Sequence, residues 1–393
     1  MTPNSPLLFS PLTIRGVTLP NRIVLSPLCM YSAKDGLAND WHMSHLSVFA
    51  RGRVGLVFAE ATGVEPRGRI TPRCLGLWND AQVEALKPIT ALIERMGSVP
   101  AMQLGHAGRK ASARPPFMGG TPLDSSDDAR GEPQWQTVGP SADGLGGPWP
   151  DPHSLAVNEI TDLVDAFAAA TRRTLAAGFK VVEVHGAHGY LIQSFLSPLS
   201  NKRNDRYGGD LQGRMRFALE VAEATRAAWP DDLPLFYRIS AVDGPANGWS
   251  MDDSVVLSRE LHARGVDVVD CSSGGVLGPP AFRGNDDGKP FDSRITRGPG
   301  FQVPFAERIR AETDAKTMAV GVIVDPHQAE EILHNGQADL IALGRELMYN
   351  PFWALHAAQA LNADADFSRW PEQYAWAVKT RAALADFAGV RDQ

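Results

Sequence analysis

The chain has 393 residues, 44% of them hydrophobic, which is enough for a large core. Its formal net charge is −7, so no net basic field gathers phosphates, and nucleic acid and anionic membrane surfaces are not expected partners. No apolar run approaches the roughly 20 residues that cross a bilayer, and the opening MTPNSPLLFSPLTIRG lacks the basic start and apolar stretch of a signal peptide.

Along the chain, short apolar runs alternate with longer helical patterns. IVLS (23–26) and GLVFAE (55–60) read as strands. NDAQVEALKPITALIERMG (79–97) follows with an apolar face, an Asn-Asp start and a glycine stop, the marks of a helix. VPAMQL (99–104) is the third strand, VNEITDLVDAFAAATRRTLAAG (157–178) a helix, and KVVEV (180–184) the fourth strand. DLQGRMRFALEVAEATRAAW (210–229) is helical and LPLFYRIS (233–240) is strand five. SMDDSVVLSRELHARG (250–265) opens with Ser and two Asp, as a helix dipole favours. VDVVDCS (266–272), KTMAV (316–320) and ADLIALG (338–344) complete eight strands. Eight strands alternating with helices predict an α/β chain folded as a single (β/α)8 TIM barrel over 1–393. A doubly wound sheet is second, because no strand is followed by G-x-G-x-x-G.

Long loops follow strands 3 and 6, over 109–158 and 272–300. Connections of that length tend to be functional, and both leave C-terminal strand ends, so both are expected to act as lids over a barrel mouth. The tail, 361–393, carries aromatic residues that need burial on the barrel or on a second subunit. Cys29, Cys74 and Cys271 stand far apart and form neither a disulfide framework nor a cluster ligand set, which fits a reducing cytoplasmic location.

Polar residues collect where the strands run out. Strand one leads to Ser26, Pro27, Leu28, Cys29 and Tyr31, strand two to Ala61, and strand three ends at Gln103. Strand four leads into VHGAHGYL, with His185, His188 and Tyr190. Strand five contains Arg238, strand seven ends at Gly321 and Val322, and strand eight at Gly344 and Arg345. In a barrel these converge on one face. Small residues after strands seven and eight, with a fixed Arg charge, suit a phosphate, although glycines also simply end strands. Arg238 in an apolar strand must meet an acceptor, in a site or in a structural salt bridge. His185-x-x-His188 is half of a metal site, or a pair of donors to a carbonyl oxygen with Tyr190 as proton donor. The first strand offers no H-x-H, and the eighth ends in Gly-Arg and not in a carboxylate, so no metal is expected.

LTIRGVTLPNRIVLSPLCMYSAKDG, EATGVEPRGRITP, QLGHAGRKAS, VEVHGAHGYLIQSFLSPLSNKRNDRYGGD and GQADLIALGRELMYNPFW together resemble the Old Yellow Enzyme family of FMN-dependent ene-reductases over nearly the whole chain. Cys29 with Tyr31 is similar to the thermophilic-like branch, which includes xenobiotic reductases. The resemblance implies bound FMN at the barrel mouth. Ser26, Pro27, Leu28, Cys29 and Ala61 would line it, Gln103 and Arg238 would hold its pyrimidine edge, and Gly321, Val322, Gly344 and Arg345 its phosphate. It also implies an FMN-dependent oxidoreductase, an NADPH dehydrogenase with NADPH as a transient hydride donor and an enone, enal or imide as substrate. His185 and His188, helped by Tyr31, would bind the carbonyl, Cys29 would tune the flavin, and Tyr190 would protonate the α-carbon. A homodimer or homotetramer is implied, with Tyr374, Trp376 and Arg381 as candidates for entering a neighbour's pocket. Nitro compounds or nitrate esters are the alternative substrates, and a metal-dependent barrel hydrolase the remote one. Two stretches depart from the family pattern: Gln212-Gly213-Arg214 at a helix start, and the long VLGPPAFRGNDDGKPFDSRIT after strand six.

Overall fold

A computed structural model describes residues 6–277, 295 and 297–387. A hairpin of β1 (Leu12–Ile14) and β2 (Val17–Leu19) precedes β3 (Ile23–Leu25), β4 (Leu56–Gly63) and β5 (Val99–Gly105). After the short pair β6 (Val138–Gly139) and β7 (His153–Ser154) come β8 (Val181–Gly186), β9 (Leu235–Ser240), β10 (Val268–Ser272), β11 (Lys316–Val320) and β12 (Leu340–Leu343). Strands β3, β4, β5, β8, β9, β10, β11 and β12 close into one parallel barrel in that order. These are the eight expected strands, each within three residues of its sequence bounds, and the fold is a (β/α)8 barrel.

Period-2 alternation explains how the same strands make both an interior and an outer core. Val24, Leu56, Phe58, Ala101, Val181, Phe236, Val268, Met318 and Leu340 form one buried cluster, which Ile14 and Leu19 of the hairpin close at the lower end. The residues between them, such as Ile23, Leu25, Val57 and Val182, join a second cluster with helix residues such as Phe49, Leu86 and Phe167. The strands are apolar on both sides, as parallel strands buried on two faces require.

The helices are α1 (Asp40–Arg51), α2 (Asp80–Arg95), α3 (Val157–Ala176), α4 (Leu191–Leu196), α5 (Leu211–Ala228) and α6 (Met251–Ala263). Then come α7 (Val303–Glu312), α8 (Pro326–His334), α9 (Arg345–Tyr349), α10 (Trp353–Ala360) and α11 (Glu372–Phe387). Caps set their starts: Asn79 accepts from the Gln82 N–H, Asp210 from Gly213, and Ser250 from Asp253. At Gly213, where the sequence leaves the family pattern, a Cβ would stand 2.1 Å from the Gly208 carbonyl oxygen.

The 109–158 connection is not structureless. It holds β6 and β7 and buries Leu123, Val138 and Leu155. Arg109 at its start donates to the carbonyls of Asp143 and Val276, tying it to the loop after β10. Of the 272–300 loop, residues 278–294 and 296 lie outside the described residues, as do 388–393 of the tail. No helix among the described residues is long and apolar enough to cross a membrane.

Candidate active site at the barrel mouth

Above the apolar interior layer, the inward positions turn polar. Parallel register places Gln103 of β5 beside Glu183 of β8, and Arg238 of β9 beside both His185 of β8 and Asp270 of β10. Gln103 Nε2 donates to Glu183 Oε1 at 2.8 Å, and Arg238 Nε donates to Asp270. Burial, with the charge of Asp270 added, pushes Glu183 well above the usual carboxylate range. Among the described residues the Arg238 Nη groups make no hydrogen bond, and Glu183 Oε2, Asp270 Oδ1 and Ser26 Oγ are buried without a partner. On β4 a bulge between Phe58 and Ala61 brings Ala61, not Glu60, opposite Gln103.

The turn after β8 gathers the histidines and the tyrosine. Its glycine spacers are there for backbone approach. A Cβ at Gly186 would stand 2.4 Å from Tyr237, and one at Gly189, whose φ is +71°, would stand 2.2 Å from the Gly275 carbonyl oxygen. His188 itself has φ +60° and is held there by Ser240, whose Oγ accepts its N–H at 2.9 Å, and by Lys110, whose Nζ donates to its carbonyl at 2.7 Å.

The Ala187 N–H donates to His185 Nδ1 at 3.2 Å, so neutral His185 carries its proton on Nε2. That N–H faces His188 Nδ1 at 3.3 Å, and His188 Nε2–H donates to Ser272 Oγ at 2.7 Å. The imidazoles therefore form a relay along the mouth, where the sequence suggested two N–H groups aimed at one oxygen. Burial and the nearby Arg238 and Lys110 hold His188 down to about 3, and burial beside His188 holds His185 well below the usual imidazole range, so both rings are neutral. The Tyr190 ring meets His185 edge-on at 5.0 Å. Its hydroxyl makes no hydrogen bond among the described residues, and burial holds it above the usual phenol range.

On the opposite rim, Tyr31 has φ +50° and its phenol is also raised by burial, with Cys29 and Tyr190 close enough to add to the shift. Cys29 is half-buried, and desolvation together with Glu60 holds its thiol above its usual value, so it is not a thiolate. After β11 and β12 lie Gly321, Val322 with φ +52° and 39% exposure, Gly344 and the exposed Arg345. Ser26 N–H bonds the Leu343 carbonyl at 2.9 Å, which fixes the first strand's end beside the eighth.

Three residues that the strand-end reading did not single out belong to this site. Glu60 accepts the N–H groups of Met30 at 2.6 Å and Leu75 at 3.1 Å, and burial raises it to about 7. Lys110 lies with Nζ 5.7 Å from the Tyr190 ring centre, and burial lowers it to about 7. Asp270 pairs with Arg238. The signal for Glu60 and Asp270 was a charge inside an apolar run, and Lys110 sat in view within QLGHAGRKAS. Tyr374 of the tail packs 6.3 Å from Phe352, Trp376 is 71% exposed, and Arg381 is exposed. Among the described residues no three His, Cys, Asp or Glu gather to hold a metal.

The donor set fits a flat heterocycle carrying a phosphate. Unpartnered Arg238 Nη groups, an orphaned Ser26 hydroxyl and Gln103 offer polar contacts to a ring edge, while Gly321 and Gly344 leave two strand ends without a Cβ. A Cβ at Gly344 would already touch Leu28 at 3.4 Å.

Residues 7–364 match the NADH:flavin oxidoreductase / NADH oxidase family. An NADPH dehydrogenase of Geobacillus thermodenitrificans is 44% identical over 370 residues, 94% of this chain and 97% of that protein. An NADPH dehydrogenase of Bacillus subtilis is 41% identical, covering 91% of this chain and 96% of the relative. Among solved structures, morphinone reductase in complex with tetrahydroNAD superposes with a TM-score of 0.71 at 25% identity, covering 91% of each chain. An Old Yellow Enzyme homologue from Zymomonas mobilis gives 0.72 at 27% identity, covering 91% of this chain and 93% of its own.

Proposed function

The chain belongs to the NADH:flavin oxidoreductase / NADH oxidase family, the Old Yellow Enzymes, and is an FMN-dependent oxidoreductase; from that premise we propose that it reduces the activated C=C bond of α,β-unsaturated carbonyl compounds with NADPH as donor. The observation that carries the reading is the pair of neutral imidazoles beside a protonated phenol with no protein partner.

Bound FMN would supply the hydride, taken from NADPH and given to the substrate β-carbon. Gln103, Arg238, Ser26 and Ala61 would hold its ring system, and Gly321, Val322, Gly344 and Arg345 its phosphate. Pro27, Leu28 and Cys29 would close the side of the ring. A neutral thiol at Cys29 supplies packing and a weak dipole there, not a nucleophile.

His185 Nε2–H is the carbonyl donor, and His188 joins it when its one N–H exchanges Ser272 for the substrate oxygen. The bond between the two rings is long, at 3.3 Å, so replacing it by a bond to substrate oxygen costs little. Neutral imidazoles can hold a developing negative charge on that oxygen without first surrendering a proton, and a positioned donor of this kind contributes about 3 kcal/mol in a transition state. The Tyr190 hydroxyl delivers the proton to the α-carbon. Lys110, 5.7 Å from its ring centre, favours the phenolate left behind. Tyr31 binds the substrate from the opposite rim. The exposed Trp376 on the tail supports a reading as a homo-oligomer.

The visible spectrum of the purified protein tests the proposal. A flavin band bleached by anaerobic NADPH and restored by 2-cyclohexenone is expected. Bleaching without restoration by any enone, but with restoration by nitro compounds or nitrate esters, would move the substrate class and keep the fold's chemistry.

A further inference from the structure

Beside the barrel mouth lies a chamber of about 940 Å³. Tyr31 lines it, and Arg69 lines both this chamber and the small cleft that holds His185 and Tyr190. It is thus a side room of the site. Its walls are basic in an acidic chain: Lys34, Arg67, Arg69, Arg73 and Arg130 face only Asp35 and Glu132.

The ion pairs divide these cations into two kinds. Arg67 is paired with Glu65 at 2.5 Å, and Arg73 and Arg130 share Glu132 at 2.6 and 3.4 Å. Lys34 and Arg69 form no ion pair among the described residues. Arg69 donates to the carbonyls of Pro66 and Pro72 and lies over the rings of Trp78 and Trp135, at 5.4 and 5.2 Å. That is a rigidly held guanidinium with charge to spare, the arrangement that suits a phosphate. Two large aromatic rings on the same walls are open to solvent, Trp41 at 56% and Phe117 at 68%. A chamber with unanswered cations and bare aromatic faces fits a phosphorylated nucleoside, whose base stacks while its phosphate is held.

We propose that this chamber receives the 2′-phosphorylated adenosine end of NADPH, with Lys34 and Arg69 selecting it over NADH. The inference rests on the reading that NADPH reduces the FMN of this site. NADH differs only in lacking the 2′-phosphate, so cations aimed at that group discriminate by charge alone.

The test uses the oxidised, FMN-loaded enzyme and titrates 2′,5′-ADP by calorimetry against wild type, Lys34→Glu and Arg69→Gln, with 5′-AMP and 3′,5′-ADP as comparison ligands. Each substitution is expected to weaken 2′,5′-ADP by about fivefold or more and to raise the KM for NADPH alike, with the KM for NADH moving less than about twofold. Binding of 2′,5′-ADP should also weaken as salt is added. Unchanged 2′,5′-ADP affinity in both variants, while NADPH still bleaches the flavin, overturns this inference and leaves the reading of NADPH as donor standing. Equal binding and equal loss for 3′,5′-ADP overturns the assignment to the dinucleotide. A wild-type flavin that NADPH does not bleach sinks the donor reading and this inference with it. Arg69 supports two loop carbonyls, so if Arg69→Gln does not fold, the exposed Lys34→Glu decides alone.

Discussion

Arg238 and Asp270 sit at the same register on neighbouring strands, and the guanidinium Nε donates to the carboxylate inside the barrel. Both are buried, so each neutralises a charge that the interior would otherwise refuse. Asp270→Asn leaves the guanidinium buried and uncompensated. The variant should lose about 3 kcal/mol of stability in urea unfolding and hold FMN more weakly. A midpoint equal to wild type would show that the pair carries no structural weight.

Tyr190→Phe removes the one phenol next to His185 while keeping its ring contact. Flavin reduction by NADPH should be unchanged. Re-oxidation by an enone should slow by roughly a hundredfold or more, the usual contribution of a positioned general acid. Rapid-mixing traces of the two half-reactions separate the outcomes, and normal enone turnover would mean that the proton comes from elsewhere.

His185 Nε2–H faces His188 Nδ1 and so leaves the His188 proton on Nε2, which donates to Ser272 at 2.7 Å. Ser272→Ala should free that donor for substrate and allow the ring to turn. The expected result is a changed KM for enones with the NADPH half-reaction intact, whereas His188→Ala should slow the oxidative half-reaction far more than the reductive one. Equal slowing of both half-reactions by His188→Ala removes it from the carbonyl site.

Burial lowers His42 and His45 to about 4 and His188 to about 3, against about 6.5 in an unfolded chain. Below pH 6.5 the unfolded chain takes up protons that the folded chain refuses. Each such histidine therefore removes stability as pH falls from about 6.5 toward its folded value, by about 1.4 kcal/mol per pH unit. Glu60 and Glu183, whose folded values are raised, act with the opposite sign in part of the same window. A difference measurement isolates one group: His45→Phe, next to the Phe49 ring, should gain on wild type steadily between about pH 6 and 4.5. Parallel stability curves would show that His45 is protonated in the fold.

The eight strands were legible because their signal is local. A run such as VDVVDCS is apolar on both faces, and each was bounded by a turn or a helix cap. Helix α1 escaped notice because DWHMSHLSVFAR mixes two histidines and two serines into its apolar stripe, and only packing of Leu46 and Phe49 on the barrel settles it. Helices α7 and α8, at 10 and 9 residues, were too short for a clear period.

What the sequence determined by itself was the architecture and the neighbourhood: which strands exist, which way their ends point, and that His185, His188, Tyr190, Arg238 and Gln103 share one face. Strand alternation and parallel connections force that much. Only the tertiary structure decided the imidazole relay through Ser272, the bulge that trades Glu60 for Ala61, the burial of Lys110 under Tyr190, and the basic chamber behind Tyr31. Each depends on contacts between segments tens to hundreds of residues apart. A proton's place on a ring, or a charge left without a partner, is set by whichever distant neighbour the closed barrel brings up against it.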